Sequence, residues 1–332
     1  MPTSSRVRPT LVPGVARLWR GPRLLQLGLE PGPAWLLELP HPSVAEVIDL
    51  LDGARTTEAV VAAAARSGIP GPYAHDLIAY LLRVRLAIPA DELYPPRLPP
   101  ARRRRLVSEA AALALAEPWR SPAAALQRRS GARIRLVGAG PAAAAVARAL
   151  AAAGVGRLDV VAPSPAGRAA LRAAVAQVAP DVDTTAPAAQ PDLVVHVGLT
   201  APADLVALRH ARRRQAHLLL TVRGPTIAVG PLVPADGGPC LGCLHRHRRD
   251  RDPHGGIDPA GHPAPGDGAA GAVTVAAAGA FTAGQCLALL DGRPPQTLAT
   301  VVEFDRDGLP RRRPLPHHPG CGCRPAPWGR PA

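Results

Sequence analysis

One eleven-residue stretch constrains this chain more than any other: Arg133-Ile134-Arg135-Leu136-Val137-Gly138-Ala139-Gly140-Pro141-Ala142-Ala143. An apolar run too short for a helix meets a turn with two glycines and then an alanine-rich segment of high helix propensity. In such a strand-turn-helix the glycines let the backbone come close to a phosphate, and the small residue at Ala143 lets the helix settle on the strand. Strand-like runs follow at Leu158 to Ala162, Leu193 to Val197 and Leu218 to Val222, separated by helical stretches, the first of which closes at Gly154-Val155-Gly156. Strands alternating with helices predict an α/β fold, a doubly wound parallel sheet over 131–332. Gly138, Gly140 and Ala143 then form either a nucleotide turn or its packing remnant.

The first ninety residues read differently. Short strand-like runs at Ala16 to Arg20, Arg23 to Leu29 and Ala34 to Leu39 are separated by glycine and proline. Three helical segments follow: Val44, Val47, Ile48 and Leu51 at helical spacing, a second helix capped near Thr56, and a third carrying Leu77, Leu81 and Val84 before Pro89. Three strands and three helices predict a winged-helix-like domain over 1–90. Prolines crowd from Pro89 to Pro100 and Arg102 to Arg105 is a run of like charge, which predicts a linker with helices over 91–130.

Composition removes some function classes. Glycine and proline number 32 and 41, below the level that signals disorder, and 47% of the 332 residues are hydrophobic, so the chain has the means to fold. The net charge of +14 suggests nucleic acid, yet all 39 basic residues are arginine and neither lysine nor asparagine occurs, a pattern of codon bias rather than of a recognition surface. The few aromatics and the lack of a basic recognition helix also weigh against DNA binding. Arginines interrupt the first thirty residues, so no secretory signal is expected and a cytoplasmic location is. The weakly charged stretch Ala269 to Leu290 holds Gln285 and is built on alanine and glycine, which favours a buried helix over a membrane span.

Four of the five cysteines stand in two tight pairs, Cys240-Leu241-Gly242-Cys243 and Cys321-Gly322-Cys323. Paired thiolates on glycine-containing turns suit tetrahedral zinc, with Cys240, Cys243, Cys321 and Cys323 as a closed structural site or with His317 or His318 taking part. Such a clasp would tie the C-terminal tail to the sheet. Cys286 lies in an apolar helical run and reads as a small buried hydrophobe rather than a nucleophile. His245, His247, His254, His317 and His318 read as exposed loop residues, with a second metal among them as the lesser alternative, and Asp291-Gly292 as a plain helix end.

A glycine-turn Rossmann-like unit, a Cys-x-x-Cys, a helix ending Leu289-Leu290-Asp291-Gly292 and a C-terminal cysteine pair occur in the order that resembles the ThiF and ubiquitin-activating-enzyme superfamily. Gly230-Pro231-Leu232-Val233-Pro234, Pro239 to Cys243, Arg248 to Asp252 and His318-Pro319-Gly320-Cys321 more closely resemble actinobacterial ThiF-like partners of cyclodehydratases in thiazole/oxazole-modified peptide pathways. The N-terminal block is similar to the PqqD-like peptide recognition element of those pathways.

The resemblance implies two functions. An active member would adenylate a small carrier protein, using an acidic pair after the second strand, polar phosphate contacts and a lysine. Here Ala162 and Ser164 fall near the acidic positions, Ala170 and Ala173 near the phosphate contacts, Leu199 near a catalytic aspartate, and lysine is absent, leaving Arg168 or Arg172 to meet a phosphate. ATP is therefore not expected as a cofactor. The other implied function is a non-catalytic partner that captures a precursor leader peptide and presents it to a YcaO-type cyclodehydratase. A leader would add to the strand edge at Trp35, Leu36 and Leu37 and contact Asp76, Leu77, Tyr80 and Leu81 on the third helix, with Arg83 and Arg85 near its acidic residues. A second copy of the chain is a further candidate partner.

Overall fold

A computed structural model describes residues 7–29, 35–185, 190–252 and 270–323. The chain divides into two compact units, 1–127 and 128–332.

The first unit opens with β1 (Pro9–Leu11), followed by the antiparallel meander β2 (Arg17–Trp19), β3 (Leu24–Leu27) and β4 (Trp35–Glu38). A 3-10 turn at Pro42–Ala45 leads into α1 (Glu46–Asp49), then α2 (Thr57–Arg66) and α3 (Gly71–Arg83). The expected cap is in place: the Thr56 hydroxyl accepts the Ala59 N–H at 3.3 Å. Strand β5 (Ala87–Pro89) returns to pair antiparallel with β1, with Leu11 opposite Ala87. Leu25, Leu27, Val47, Ile48, Val60, Ile78 and Leu81 make the core of this block.

The stretch expected to be a linker is helical and packed. It forms α4 (Ala90–Leu93), α5 (Pro100–Arg105), α6 (Val107–Ala116) and α7 (Pro122–Gly131). Leu93, Leu106, Ala110 and Leu126 share a core with Val12, just past β1, and Ile88 of β5, so the first unit runs on to Gln127 instead of stopping at 90. The arginine run, half of it exposed, is tolerated because α5 buries none of its residues.

The second unit is built on β6 (Arg133–Val137), α8 (Gly140–Ala152), β7 (Arg157–Val161), α9 (Pro165–Val178), β8 (Leu193–Val197), α10 (Ala203–Arg212) and β9 (His217–Arg223). It continues through β10 (Thr226–Val233), α11 (Leu241–Arg251), α12 (Ala272–Leu290), β11 (Thr300–Phe304) and β12 (Pro310–Pro314). The sheet order is β12-β11-β10-β9-β8-β6-β7. Strands β7, β6, β8 and β9 are parallel, as expected; β10, β11 and β12 extend the sheet in antiparallel fashion.

Both faces of that sheet are covered. Alternate residues Leu218 and Leu220, Ile227 and Val229, and Val302 and Phe304 face one core with α8, α9 and α12. Their neighbours Leu219, Ala228 and Val301 face the other with α10 and α11. Helix α12 is long and apolar enough to cross a membrane, with a mean hydropathy of 1.7, but it lies against α8 and β10. Its Gln285 side-chain oxygen accepts from the Thr297 N–H at 3.1 Å inside the core, so the polar residue that argued against a span is satisfied by protein.

Candidate functional site

Cys240 sits at the N-terminus of α11 in extended conformation, and Cys243 falls in the helix's first turn. That step from an extended residue into the helix brings both sulfurs to one side. The C-terminal tail brings Cys321 and Cys323 to them: Cys240 Sγ lies 3.6 Å from Cys321 Sγ and Cys243 Sγ 3.2 Å from Cys323 Sγ. All four sulfurs lie within 4.8 Å of one another, which is what four thiolates at about 2.3 Å from one ion require. The predicted quartet is thus assembled, and it can hold a metal ion.

The thiols themselves ask for a cation. Burial pushes Cys240 up to about 11 and raises Cys323 as well, while at Cys243 the burial penalty is outweighed by hydrogen bonds from the His318 backbone and from Cys323, and its value falls. Thiols so close together cannot all ionise unless positive charge is placed among them.

Histidines support the quartet without joining it. His318 donates its backbone N–H to Cys243 Sγ at 3.3 Å, and its ring Nδ1 accepts the Gly320 N–H at 3.0 Å. Its Nε2 is therefore the protonated nitrogen and donates to Asp250 Oδ2 at 2.8 Å. This Asp250–His318–Gly320 chain holds the turn carrying Cys321. His317 Nδ1 lies 3.4 Å from Cys323 Sγ. Arg246 bridges Asp204 on α10, at 2.7 Å, to the Cys321 sulfur at 3.8 Å. The support from Asp250, Asp204 and Arg246 escaped the sequence reading, because partners distant in sequence leave no spacing signal. His245 and His247 are half-buried helical residues of α11 rather than exposed loop residues, and His254 lies outside the described residues.

Packing fixes Gly138 of the glycine turn. A Cβ on Gly138 would stand 2.5 Å from the Val197 carbonyl oxygen and 2.8 Å from the Val197 Cβ, at a φ of +138°, so β8 occupies the space a side chain would need. Ala143, in the first turn of α8, is fully buried. Beyond β7, the positions expected of carboxylates hold Ala162 and Ser164, and the Ser164 hydroxyl is engaged as the cap of α9, accepting the Gly167 N–H at 3.0 Å. Ala170 and Ala173 are exposed on α9, as is Arg168; Arg172 and Leu199 are half-buried.

In the first unit, β4 ends its sheet among the described residues. Leu39 donates its N–H to the Arg23 carbonyl at 2.8 Å, and the register pairs Leu37 with Leu25 and Trp35 with Leu27. By the alternation of an antiparallel ladder, Trp35, Leu37 and Leu39 turn their backbone groups to β3, whereas Leu36 and Glu38 turn theirs to the open edge. Leu36 is 58% exposed, and Trp35 and Leu37 pack their side chains on the core. The helix residues divide. Leu77 and Leu81 are core residues, 7% and 0% exposed, so the apolar stripe of α3 faces inward and is not a contact surface. Asp76 is exposed, Tyr80 is half-buried beneath the Arg83 guanidinium, and Arg85 is engaged by Glu92 at 2.9 Å. Cys286 is fully buried and burial pushes its thiol up to about 12, which suits a packing role.

No protein-family model matches the chain, and no curated protein matches its sequence. Solved structures do share its fold. E. coli MccB with AMPCPP and MccA is 13% identical at a TM-score of 0.59, the match covering 95% of this chain and 99% of that one. A heterocyclase in complex with substrate and cofactor is 16% identical at a TM-score of 0.62, covering 96% of this chain and 39% of that one. The heterocyclase TruD gives 16% identity and a TM-score of 0.61, with 96% and 42% covered. The chain spans nearly all of MccB and about two fifths of the heterocyclases. The architecture is that of the Rossmann-like, ThiF-type fold.

Proposed function

We propose that this chain is a non-catalytic ThiF-like protein that captures a precursor leader peptide along β4 and presents it to a YcaO-type cyclodehydratase. The observation that carries this reading is the open edge of β4, where the backbone groups of Leu36 and Glu38 are aimed outward next to an exposed leucine. An extended peptide would complete that ladder as a fourth strand. The likeness to a heterocyclase structure described with substrate supports a place in peptide modification. A purely accessory role is supported by what stands beside the glycine turn: Ala162, a Ser164 engaged in capping, and a chain without lysine. Adenylation builds up negative charge that such groups would have to stabilise.

In the same reading the four cysteines hold zinc, which supplies cross-linking rather than chemistry: the quartet is closed, leaving no position for a substrate. Cys240, Cys243, Cys321 and Cys323 would be its ligands, with His318 and Asp250 orienting the tail.

The test is selection of extended peptides from a displayed random library on the full chain, followed by titration of the winners. Leu36→Pro removes one outward N–H while leaving the β3 ladder intact, since proline is tolerated on a strand edge. Leu36→Ala keeps that N–H. The expected result is a loss of about tenfold or more for Leu36→Pro, worth about 1.4 kcal/mol, and a smaller change for Leu36→Ala. Failure to select any peptide, or equal affinity for Leu36→Pro and wild type, would overturn the reading.

A further inference from the structure

The antiparallel half of the large sheet carries a recess that neither the cysteine quartet nor β4 explains. Arg223 at the end of β9, Arg313 on β12, and Arg248 and Arg251 on α11 line a cavity of about 200 Å³ together with Glu303 of β11. Four arginines and one carboxylate line it, a surplus of three positive charges. Glu303 is already engaged: Arg313 Nε donates to it at 2.6 Å, and Arg223 Nη1 stands 4.0 Å away. Arg223 Nη2 is buried and has no hydrogen-bond partner among the described residues. A buried donor left unpaired costs about 1–3 kcal/mol, and a site that collects like charges as well must gain something by doing so.

The floor of the recess is apolar, made of Leu244, Val301 and Leu315. Its volume lies below the roughly 300–1,000 Å³ of sites for drug-sized ligands, so it admits one small head group. A single carboxylate would duplicate Glu303 and leave most of the surplus charge unmet. A phosphate dianion offers three acceptor oxygens to several guanidinium forks at once. We propose that this recess is a binding site for a phosphate group. Burial lowers the pKa of the Arg223 guanidinium, Glu303 opposing and Arg313 reinforcing the shift; an anion in the recess would relieve the strain that this reflects.

The experiment is calorimetric titration of the full chain at fixed ionic strength with inorganic phosphate, phenyl phosphate and acetate. Saturable phosphate binding is expected, with acetate much weaker. Tighter binding of phenyl phosphate would identify an organic phosphate ester seated on the apolar floor; equal or tighter binding of inorganic phosphate would identify the free anion. Arg248→Gln, on a partly exposed helix face, should weaken phosphate binding about tenfold. Glu303→Gln removes the competing carboxylate and should tighten it, a change of opposite sign that diffuse attraction to the chain's other arginines would not give. The proposal is overturned if phosphate does not saturate, if acetate binds equally well, or if both variants bind like wild type.

Discussion

Asp291 ends α12, and the sequence offers it no role beyond that, yet it meets Arg129 in one of the most enclosed ion pairs of the protein. Both side chains are 3% exposed, Arg129 Nε lies 3.1 Å from one carboxylate oxygen and Nη2 lies 2.7 Å from the other, and Nη1 donates to the Ala153 carbonyl at 3.1 Å. Replacing Asp291 by asparagine keeps the shape and removes the charge. The guanidinium cannot shed its proton, so a buried cation is left without its counter-ion, at a cost of about 3–5 kcal/mol. A unit of this size loses roughly 2–4 °C per kcal/mol, which gives about 6–20 °C. Differential scanning calorimetry of the full chain reads this directly. The double replacement Arg129→Met with Asp291→Leu should recover most of the loss, because it removes both desolvated charges. A shift below about 2 °C for Asp291→Asn, or a double variant no more stable than the single one, would refute the argument that a stranded charge is responsible.

Two glycines five residues apart on α12 should respond in opposite directions to alanine. A Cβ on Gly279 would meet the Ala145 Cβ of α8 at 2.5 Å, whereas one on Gly284 meets nothing within 4 Å. Gly279→Ala should destabilise by about 1–3 kcal/mol and Gly284→Ala should stabilise by up to about 1 kcal/mol, both read by urea denaturation. Acid should weaken the second unit through buried histidines. Burial, aided by the charges of His217 and Arg209, holds His196 at about 4; burial, aided by His217, His196, Arg209 and Arg213, holds His210 at about 3; burial also lowers His217. These values lie below the ordinary 6.5, so the unfolded chain takes up protons first and stability falls as pH drops below about 6.5, at up to about 1.4 kcal/mol per pH unit for each histidine held neutral. Urea melts between pH 7.5 and 5 should show this slope, and His196→Gln should flatten it; parallel curves for the two proteins would contradict it. Purified protein should contain one zinc per chain and Cys321→Ser much less, measured by elemental analysis; unchanged content would remove Cys321 from the ligand set.

The parallel half of the sheet was legible because its strands are continuous apolar runs between helices, as in Leu193–Val197, whose five residues are all buried. The cysteine quartet was legible because each half is local. The antiparallel half was not read: Gly230-Pro231 interrupts β10 at an irregularity between Val229 and Leu232, and β12 reads Pro-Arg-Arg-Arg-Pro, exposed throughout. Such an edge strand is held by its ladder to β11 and by pairs such as Arg313 with Glu303, not by apolar burial. The packing of 91–127 was hidden in the same way, since its core partners are Val12, one residue past the three-residue β1, and Ile88 on the three-residue β5. Leu77 and Leu81 show the converse: an apolar helical stripe is the signature of a core face, and the structure puts both in the core.

The proposed accessory role depends on a ThiF-type fold that keeps its glycine turn for packing, as the fit of Gly138 against Val197 supports, and grips no nucleotide. Titration of magnesium-ATP into the zinc-loaded full chain tests it most directly. No saturable binding below about 1 mM is expected. A micromolar dissociation constant that is lost when Arg168 and Arg172 are replaced by alanine would contradict it.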